Sequence, residues 1–173
     1  MSKPTHEDAN LILRLYEMRR EATMREARNW FVAGYKFKTL EDMSKACPPG
    51  TKENAYARMV TSYWDMVASF ITSGVLNEEL FFQSNRELLL VYMRVEPILG
   101  DIRKAFGDQN YMGHLETVGK SYIACALGNA ACRADYSVRF YRIPRLIDEL
   151  ARYAALQNKS TLLRQIAKAD LLI

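Results

Sequence analysis

A wide apolar stripe along residues 52–72 constrains the fold of this chain more than any other feature of its sequence. Apolar side chains recur there every three or four residues, which is the spacing of one face of an α-helix. They form two neighbouring rows, Ala55, Met59, Tyr63, Met66 and Phe70 beside Val60, Trp64, Val67 and Ile71. A helix with so broad an apolar face needs cover on several sides. The stripe therefore predicts the central helix of a bundle.

Helical patterns precede this stripe. Thr5, with Asp8 three residues on, is typical of a helix N-cap, and apolar residues recur at helical spacing from there to Phe31. A short helix at about 40–46 should end at CPPG (47–50), because prolines cannot continue a helix. We predict an antiparallel bundle with a core that contains Trp30, Tyr63, Trp64, Phe70, Phe81 and Leu89.

Three residues predict where the helices after the stripe begin and end. Gly74 is a typical helix stop, and Asn77 is a typical N-cap for a helix that runs to Glu96. Pro97 suits the first turn of a further helix, because its nitrogen has no hydrogen to donate.

Charged residues in the first helices alternate in sign. Glu17, Glu21 and Glu26 are interleaved with a basic run that could contact nucleic acid, formed by Arg14, Arg19, Arg20, Arg25 and Arg28. Mixed charges of this kind are typical of a solvated helix face. Solvent-facing positions are also predicted for Asp65, Glu78, Glu79 and Glu87.

The composition indicates a soluble globular protein, with 49% apolar and 25% charged residues. Its longest apolar runs, such as LLLVYM at 88–93, are far shorter than the roughly 20 residues that span a bilayer. Acidic residues stand where a signal peptide needs an apolar segment. Cys47, Cys125 and Cys132 form no CxxC pair, as is typical of reduced thiols. We expect a cytoplasmic protein with no membrane partner. We also expect Cys125 and Cys132 to be buried on one face of a helix, as small apolar side chains.

The sequence changes character after residue 118. Residues 119–173 contain nine Lys and Arg against four Asp and Glu, whereas residues 1–118 are nearly balanced. This basic part predicts either a plain solvated surface or a contact with DNA phosphates. Four segments predict, in chain order, a strand, two helices and a second strand: YSVRFYRI, PRLIDELARYAAL, TLLRQIAKA and DLLI. It indicates two parallel strands at about 137–142 and 170–173.

Residues 119–173 closely resemble part of the IstB/DnaC-like transposition helper ATPases, of the AAA+ P-loop class. The resemblance is contiguous and rests on GKS with its helix, then YSVRF, PRLIDEL and LLRQIAKADLLI. It implies ATP binding through Gly119, Lys120 and Ser121, with Mg²⁺ on the Ser121 hydroxyl. It also implies DNA or a transposase as partner, and a Walker B strand that begins at DLLI.

Residues 1–117 look like a different group, an uncharacterised family of small bacterial helical domains. This resemblance rests on MRREATMREARNWF and on the block from NAYARMVTSYWDMV to RVEPILGDIR. It implies no activity. Because the two patterns join without a linker, we predict a hybrid of two domains, 1–117 and 118–173. Such a hybrid arises when a transposon-derived fragment fuses into a host gene, or as an assembly artefact.

The phosphate-binding loop in this sequence is incomplete. A P-loop needs G-x-x-x-x-G-K-[ST] between a strand and a helix, because its glycines let successive backbone N–H groups wrap the phosphates. His114 stands where the first glycine is required, and Glu116 adds a negative charge. The acidic residues of Walker B would follow Ile173. We therefore expect no catalytic residues, no ATP hydrolysis and at most weak binding of ATP and Mg²⁺.

One amphipathic helix over about 109–134 is the alternative to a P-loop. Its apolar stripe would pass through GKS and consist of Tyr111, Leu115, Val118, Tyr122, Ala126 and Ala130. Lys120 would then be an ordinary surface lysine, and the pattern favours this interpretation.

The predicted fold is mainly α, a helical bundle followed by a truncated α/β segment derived from a P-loop NTPase, with two short strands. Two functions stay open. One is a nucleotide-binding protein of transposition-helper ancestry. The other is a non-catalytic interaction or scaffold domain with a vestigial tail, able to form homo-oligomers.

Overall fold

The protein is mainly helical, as predicted. The computed structural model describes residues 3–141, 143–155 and 159–173, and within them nine helices and two short strands occur. These elements form two compact units, Met1–Gly119 and Lys120–Ile173. Among the described residues, no helix combines the length and the apolar character that crossing a membrane requires.

The first unit is built from helices. In chain order they are α1 (His6–Arg19), α2 (Ala22–Gly34), α3 (Leu40–Ala46), α4 (Lys52–Thr72), α5 (Glu78–Ser84), α6 (Glu87–Phe106) and α7 (Gly113–Arg133). The last of these begins in the first unit and ends in the second.

Helix α4 carries the apolar stripe and is central to the core of the first unit. Its residues Val60, Trp64 and Val67 are at most 1% exposed, and α2 and α6 both pack against it. Tyr63, Trp64 and Phe81 are buried as predicted. The other three predicted core residues are half-buried and pack against the same cluster: Trp30, Phe70 and Leu89.

Side chains at the helix starts satisfy backbone groups that the helix itself leaves unpaired. Thr5 caps α1 in a capping box: its Oγ1 accepts the N–H of Asp8 at 3.2 Å, and Asp8 accepts the N–H of Thr5 at 2.8 Å. Asn77 caps α5 as predicted, since its Oδ1 accepts the N–H of Leu80 at 2.9 Å. After α4, Gly74 adopts a left-handed φ of 71°, which residues with a Cβ rarely adopt.

Two of the predicted helices are each divided in two. The pattern from Thr5 to Phe31 breaks at 20–21, where the Glu21 carboxylate caps α2 by accepting the N–H of Met24 at 2.7 Å. The helix after Asn77 breaks at 85–86, and α6 then continues through Pro97 instead of beginning there. Pro97 is exposed, so water can solvate the carbonyl that it leaves without a partner.

Arg19, Arg28 and Glu87 form a charge cluster, and the prediction that these residues face solvent is wrong. Arg28 Nε donates to Glu87 Oε1 at 2.6 Å, its Nη2 donates to Oε2, and Arg19 Nη1 lies 3.6 Å from Oε2. The side chains of Arg19 and Glu87 are only 10% and 16% exposed. The hydrogen bond to Glu87 raises the pKa of Arg28. The cluster therefore joins the corner between α1 and α2 to the start of α6.

The second unit contains the remaining elements: β1 (Val138–Arg139), α8 (Ile143–Ala155), α9 (Lys159–Ala167) and β2 (Leu171–Leu172). The strands are parallel, with Val138 opposite Leu171 and Arg139 opposite Leu172, which confirms the predicted pair. Residue 142, at the end of the predicted first strand, lies outside the described residues.

At Gly128, the C-terminal part of α7 packs closely on Val138 of β1 and on Ile173, the residue after β2. A Cβ at this position would lie 3.0 Å from Ile173 Cδ1 and 3.3 Å from Val138 Cγ1. The prediction that Cys125 and Cys132 are buried is wrong, since both are exposed. Ala126 and Ala130 are exposed as well, so the predicted apolar stripe of α7 is not covered along its whole length.

We expect Glu87→Gln to lower the free energy of unfolding by about 2 kcal/mol, because a hydrogen bond to a charged group contributes roughly 1.5–3 kcal/mol. Urea denaturation, followed by tryptophan fluorescence, measures the change. The matched control is Glu96→Gln on the exposed side of the same helix, with an expected effect below about 0.5 kcal/mol. Equal effects of the two variants would contradict a stabilising role for the charge cluster.

The contribution of Asp8 to stability should depend on pH. Hydrogen bonds from the Thr5 side chain and from the backbones of Asn77 and Thr5 hold the pKa of Asp8 below its usual range. A carboxylate with a lowered pKa stabilises the fold above its unfolded-state pKa, about 3.9, and this stabilisation is lost as the pH falls through the folded-state value. Urea denaturation from pH 7 to pH 2.5 should therefore show Asp8→Asn less stable than the parent, by a margin that shrinks below about pH 4. A margin independent of pH would count against this account.

Candidate functional site

The three residues that the ATPase resemblance singles out lie in the interior of a helix. Gly119, Lys120 and Ser121 are consecutive residues of α7, which begins at Gly113. Residues 113–118, which a P-loop needs as an open loop, are therefore helical. The predicted helix over 109–134 is observed with a later start, after a turn in which Met112 adopts a positive φ of 54°.

Backbone amides around the site are engaged in hydrogen bonds. Inside a helix each N–H donates to the carbonyl four residues earlier, which applies to Gly119, Lys120 and Ser121. At the start of α7, the N–H of Leu115 donates to Asp65 Oδ1 at 2.9 Å, and the N–H of Glu116 donates to the Met112 carbonyl at 3.1 Å. A P-loop instead needs these amides to converge on an anion.

Carboxylates occupy the start of α7, where the helix dipole would favour an anion. Asp65 accepts a backbone N–H there, and Glu116 forms a 2.7 Å ion pair with Arg103. The side chains of Arg103 and Glu116 are 15% and 23% exposed, so this pair is largely shielded from water. Arg103 Nε also donates to the Tyr111 carbonyl at 2.9 Å. A phosphate at this end of the helix would have to displace the Asp65 carboxylate, and the Arg103 cation is already paired with Glu116.

Gly119 packs against an aromatic ring in the first unit. A Cβ built at this position would overlap the Tyr92 ring, lying 2.8 Å from Cε1 and closer still to Cγ and Cδ1. Its neighbours Leu115 and Val118 are 1% and 3% exposed and belong to the same core as Tyr92. The absence of a side chain at Gly119 is therefore needed for helix packing in this structure.

The other residues of the site do not form a phosphate or metal pocket. Lys120 is exposed and Ser121 is half-buried. His114, at the place of the first P-loop glycine, pairs its Nδ1 with Thr72 Oγ1 at 2.8 Å. Among the described residues, no group of three or more His, Cys, Asp and Glu side chains could hold a metal ion. Gly119, Lys120 and Ser121 are helical and lack the converging amides of a P-loop, so in this conformation they do not form a P-loop site.

A polar cleft of about 450 Å³ beside the start of α7 was not predicted. It is lined by Arg103, Gln109, Asn110, Gly113, His114, Glu116 and Thr117. The polar turn between α6 and α7 is the one sequence signal that could have indicated it. Neither Lys120 nor Ser121 lines this cleft, so it does not restore a P-loop site.

Two family models match the chain, and they overlap within α7. Residues 4–122 match the model described as a domain of unknown function, DUF4760. The chain belongs to this family. Residues 112–173 match the model described as an IstB-like ATP binding protein. Both resemblances predicted from the sequence are confirmed. The overlap, 112–122, consists of Met112 and the first ten residues of α7, and it includes the three residues of GKS.

Curated relatives match the C-terminal part of the chain. Over 56 residues it is 45% identical to a protein named as an ATP-binding protein of insertion sequence IS1162, from Pseudomonas fluorescens, covering 32% of this chain and 24% of that protein. It is 39% identical over 56 residues to y4uH of Sinorhizobium fredii, also named as an insertion-sequence ATP-binding protein, covering 32% of this chain and 23% of that one. The chain thus spans less than a quarter of the length of either relative. No solved structure matches it.

We expect Gly119→Ala to destabilise the protein by about 1–2 kcal/mol, although alanine favours a helix by up to about 1 kcal/mol over glycine. Overpacking in a core costs roughly 1–3 kcal/mol, because the neighbouring ring has to move. Gly100→Ala in α6 is the matched control, since a Cβ there meets nothing within 4 Å. It should stabilise the protein by about 0.5–1 kcal/mol. Urea denaturation measures the change in the free energy of unfolding for each variant. If both substitutions stabilise the protein, the packing of Gly119 on Tyr92 is contradicted.

Proposed function

We propose that this protein is a non-catalytic helical interaction or scaffold protein, and that its insertion-sequence-derived segment binds no nucleotide in the P-loop manner. One observation carries the proposal. Helix α7 runs unbroken through Gly119, Lys120 and Ser121, and Gly119 packs on Tyr92.

Binding a triphosphate at GKS would require the start of α7 to unwind. Unwinding residues 113–118 would remove Leu115 and Val118 from the core in which they are buried. Exposing a buried aliphatic side chain costs about 1.5–3 kcal/mol. Exposing both side chains would lower the apparent affinity for a triphosphate by roughly a hundredfold to ten-thousandfold, because the free energy of this rearrangement is subtracted from the free energy of binding. The same change would also break the hydrogen bond between Leu115 and Asp65.

The similarity to insertion-sequence proteins is, in this proposal, a mark of ancestry. Those relatives are named as ATP-binding proteins, and the segment that matches the IstB-like family model includes GKS. In this chain the residues before GKS are part of a helical domain family, and their side chains serve its core. The partners that the resemblance implies, DNA and a transposase, stay predictions.

Isothermal titration calorimetry with a non-hydrolysable ATP analogue and Mg²⁺ tests the proposal. The full chain should give no saturable heat at analogue concentrations up to about 1 mM, because its affinity is weakened by the cost of unwinding α7. Lys120→Ala should behave in the same way. Lys168→Ala, at another exposed lysine of the second unit, is the matched control.

Micromolar binding that is lost in Lys120→Ala and kept in Lys168→Ala would overturn the proposal and restore a nucleotide-binding function. Micromolar binding that both variants keep would place a nucleotide site elsewhere in the chain. That result would also contradict a protein that acts only as a scaffold.

A further inference from the structure

One side of α7 in the second unit is apolar and faces solvent. Every residue between Lys120 and Arg133 is uncharged. Gly128 is a point at which this part of the helix is buried, against Val138 and Ile173. Roughly opposite Gly128 around the helix, at about 100° per residue, stands a group of exposed apolar residues. We call them the apolar strip: Ile123, Ala126, Leu127 and Ala130.

An exposed apolar strip is unusual on a helix of a folded domain. The solvent side of such a helix normally carries charged and polar residues. Here Ile123 is 41% exposed and Leu127 is 61% exposed, and they lie one turn apart on the same side of α7. Apolar surface that stays uncovered and has a charged border is typical of a contact surface for another protein.

The shape of the apolar strip suits a second helix. Residues four apart form rows along a helix surface, and a row on one helix packs into the groove beside a row on the other. Ile123 and Leu127 form a raised row of large side chains. Ala126 and Ala130 form the adjacent row, which is low because each side chain is a single methyl group. A ridge beside a groove is a surface on which helices pack, whereas a nucleic-acid backbone finds no hydrogen-bond donor in these four side chains.

Cations border the apolar strip on both sides. Lys120 lies three residues before Ile123, and Arg133 lies three residues after Ala130, so each is a neighbour of one row. Both cations are exposed. Residues 119–173 contain nine Lys and Arg against four Asp and Glu. This charge attracts an acidic partner and repels a second copy of the same unit.

We propose that the apolar strip binds an amphipathic helix of another protein, in which Asp or Glu residues border the apolar side. The apolar side of that helix covers Ile123 and Leu127, and its carboxylates face Lys120 and Arg133. This inference rests on the proposed function and deepens it, because it names the chemistry of the partner that the interaction protein binds.

Fluorescence anisotropy with a labelled peptide tests the proposal on the full chain. The probe is a helical peptide of about 20 residues, with leucines at positions a and d of its heptads and glutamates at e and g. Its dissociation constant should be below about 100 µM. Its affinity should fall several-fold between about 50 mM and 500 mM salt, because salt screens the attraction between the charges. A peptide with the same leucines and with lysines in place of the glutamates is the control, and it should bind at least about tenfold more weakly.

Three variants separate the apolar contact from the charge. Leu127→Ser keeps every charge and should raise the dissociation constant of the acidic peptide at least about tenfold, because a central apolar side chain is lost. Leu163→Ser is the matched control: Leu163 is 55% exposed on α9 of the same unit, and its variant should bind as the parent does. Arg133→Gln should weaken binding by about two- to fivefold and reduce its dependence on salt. All three side chains are exposed, so circular dichroism should show an unchanged helix content.

Three results with the peptides would overturn the inference: no binding of the acidic peptide, equal binding of the lysine peptide, or equal effects of Leu127→Ser and Leu163→Ser. Sedimentation velocity of the chain alone and its cosedimentation with vesicles of anionic phospholipid examine two other occupants. A dimer that Leu127→Ser abolishes would assign the strip to a second copy, and vesicle binding that it abolishes would assign the strip to a membrane. Either result would also overturn the inference.

Nucleotide calorimetry distinguishes failure of this inference from failure of the proposed function. Micromolar ATP binding that is lost in Lys120→Ala would defeat the proposed function, whether or not the acidic peptide binds. A chain that binds neither ATP nor the acidic peptide would defeat only this inference.

Discussion

The close packing of α7 on the core of the first unit determines what the rest of this structure can do. Gly119 lies against the Tyr92 ring at a separation that leaves no room for a Cβ. Leu115 and Val118, one turn earlier and one residue earlier, are buried in the same core. These contacts hold residues 113–121 as helix, and a helix has no converging amides to offer a phosphate. The three letters of the ATPase motif are present, but the packing around them assigns them another role.

Ionic contacts place the other helices around this core. The charge cluster of Arg19, Arg28 and Glu87 joins the first two helices to α6, and Asp8 joins the start of α1 to the start of α5. Each contact bridges residues far apart in the chain. Asp65 does the same for α7, because its carboxylate takes the place of a local N-cap. The first unit is thus a bundle whose helix ends are tied by carboxylates from other segments, while the second unit leaves apolar side chains and a strand edge exposed.

Features with a local cause could be predicted from the sequence. The capping box at Thr5, the N-cap at Asn77, the stop at Gly74 and the central helix all follow from neighbouring residues or from apolar spacing. The parallel strands followed from the order of the elements around them. The corners at 20–21 and 85–86 were missed, because helical spacing of apolar residues does not show where a helix turns. Arg19, Arg28 and Glu87 were assigned to solvent, because alternating charges look alike whether water or a distant partner neutralises them.

By itself, the sequence determined which family each part of the chain resembles and the absence of a complete glycine-rich loop. It also favoured a helix through GKS, since apolar residues at helical spacing are a local property. Only the tertiary structure decided why Gly119 is needed there. The sequence cannot distinguish a glycine that gives a loop its flexibility from a glycine that leaves room for a packed side chain. Here the packed side chain is the ring of Tyr92, which belongs to a different helix. The tertiary structure likewise left the apolar residues of the second unit uncovered, because burial depends on which surfaces meet and not on the order of residues.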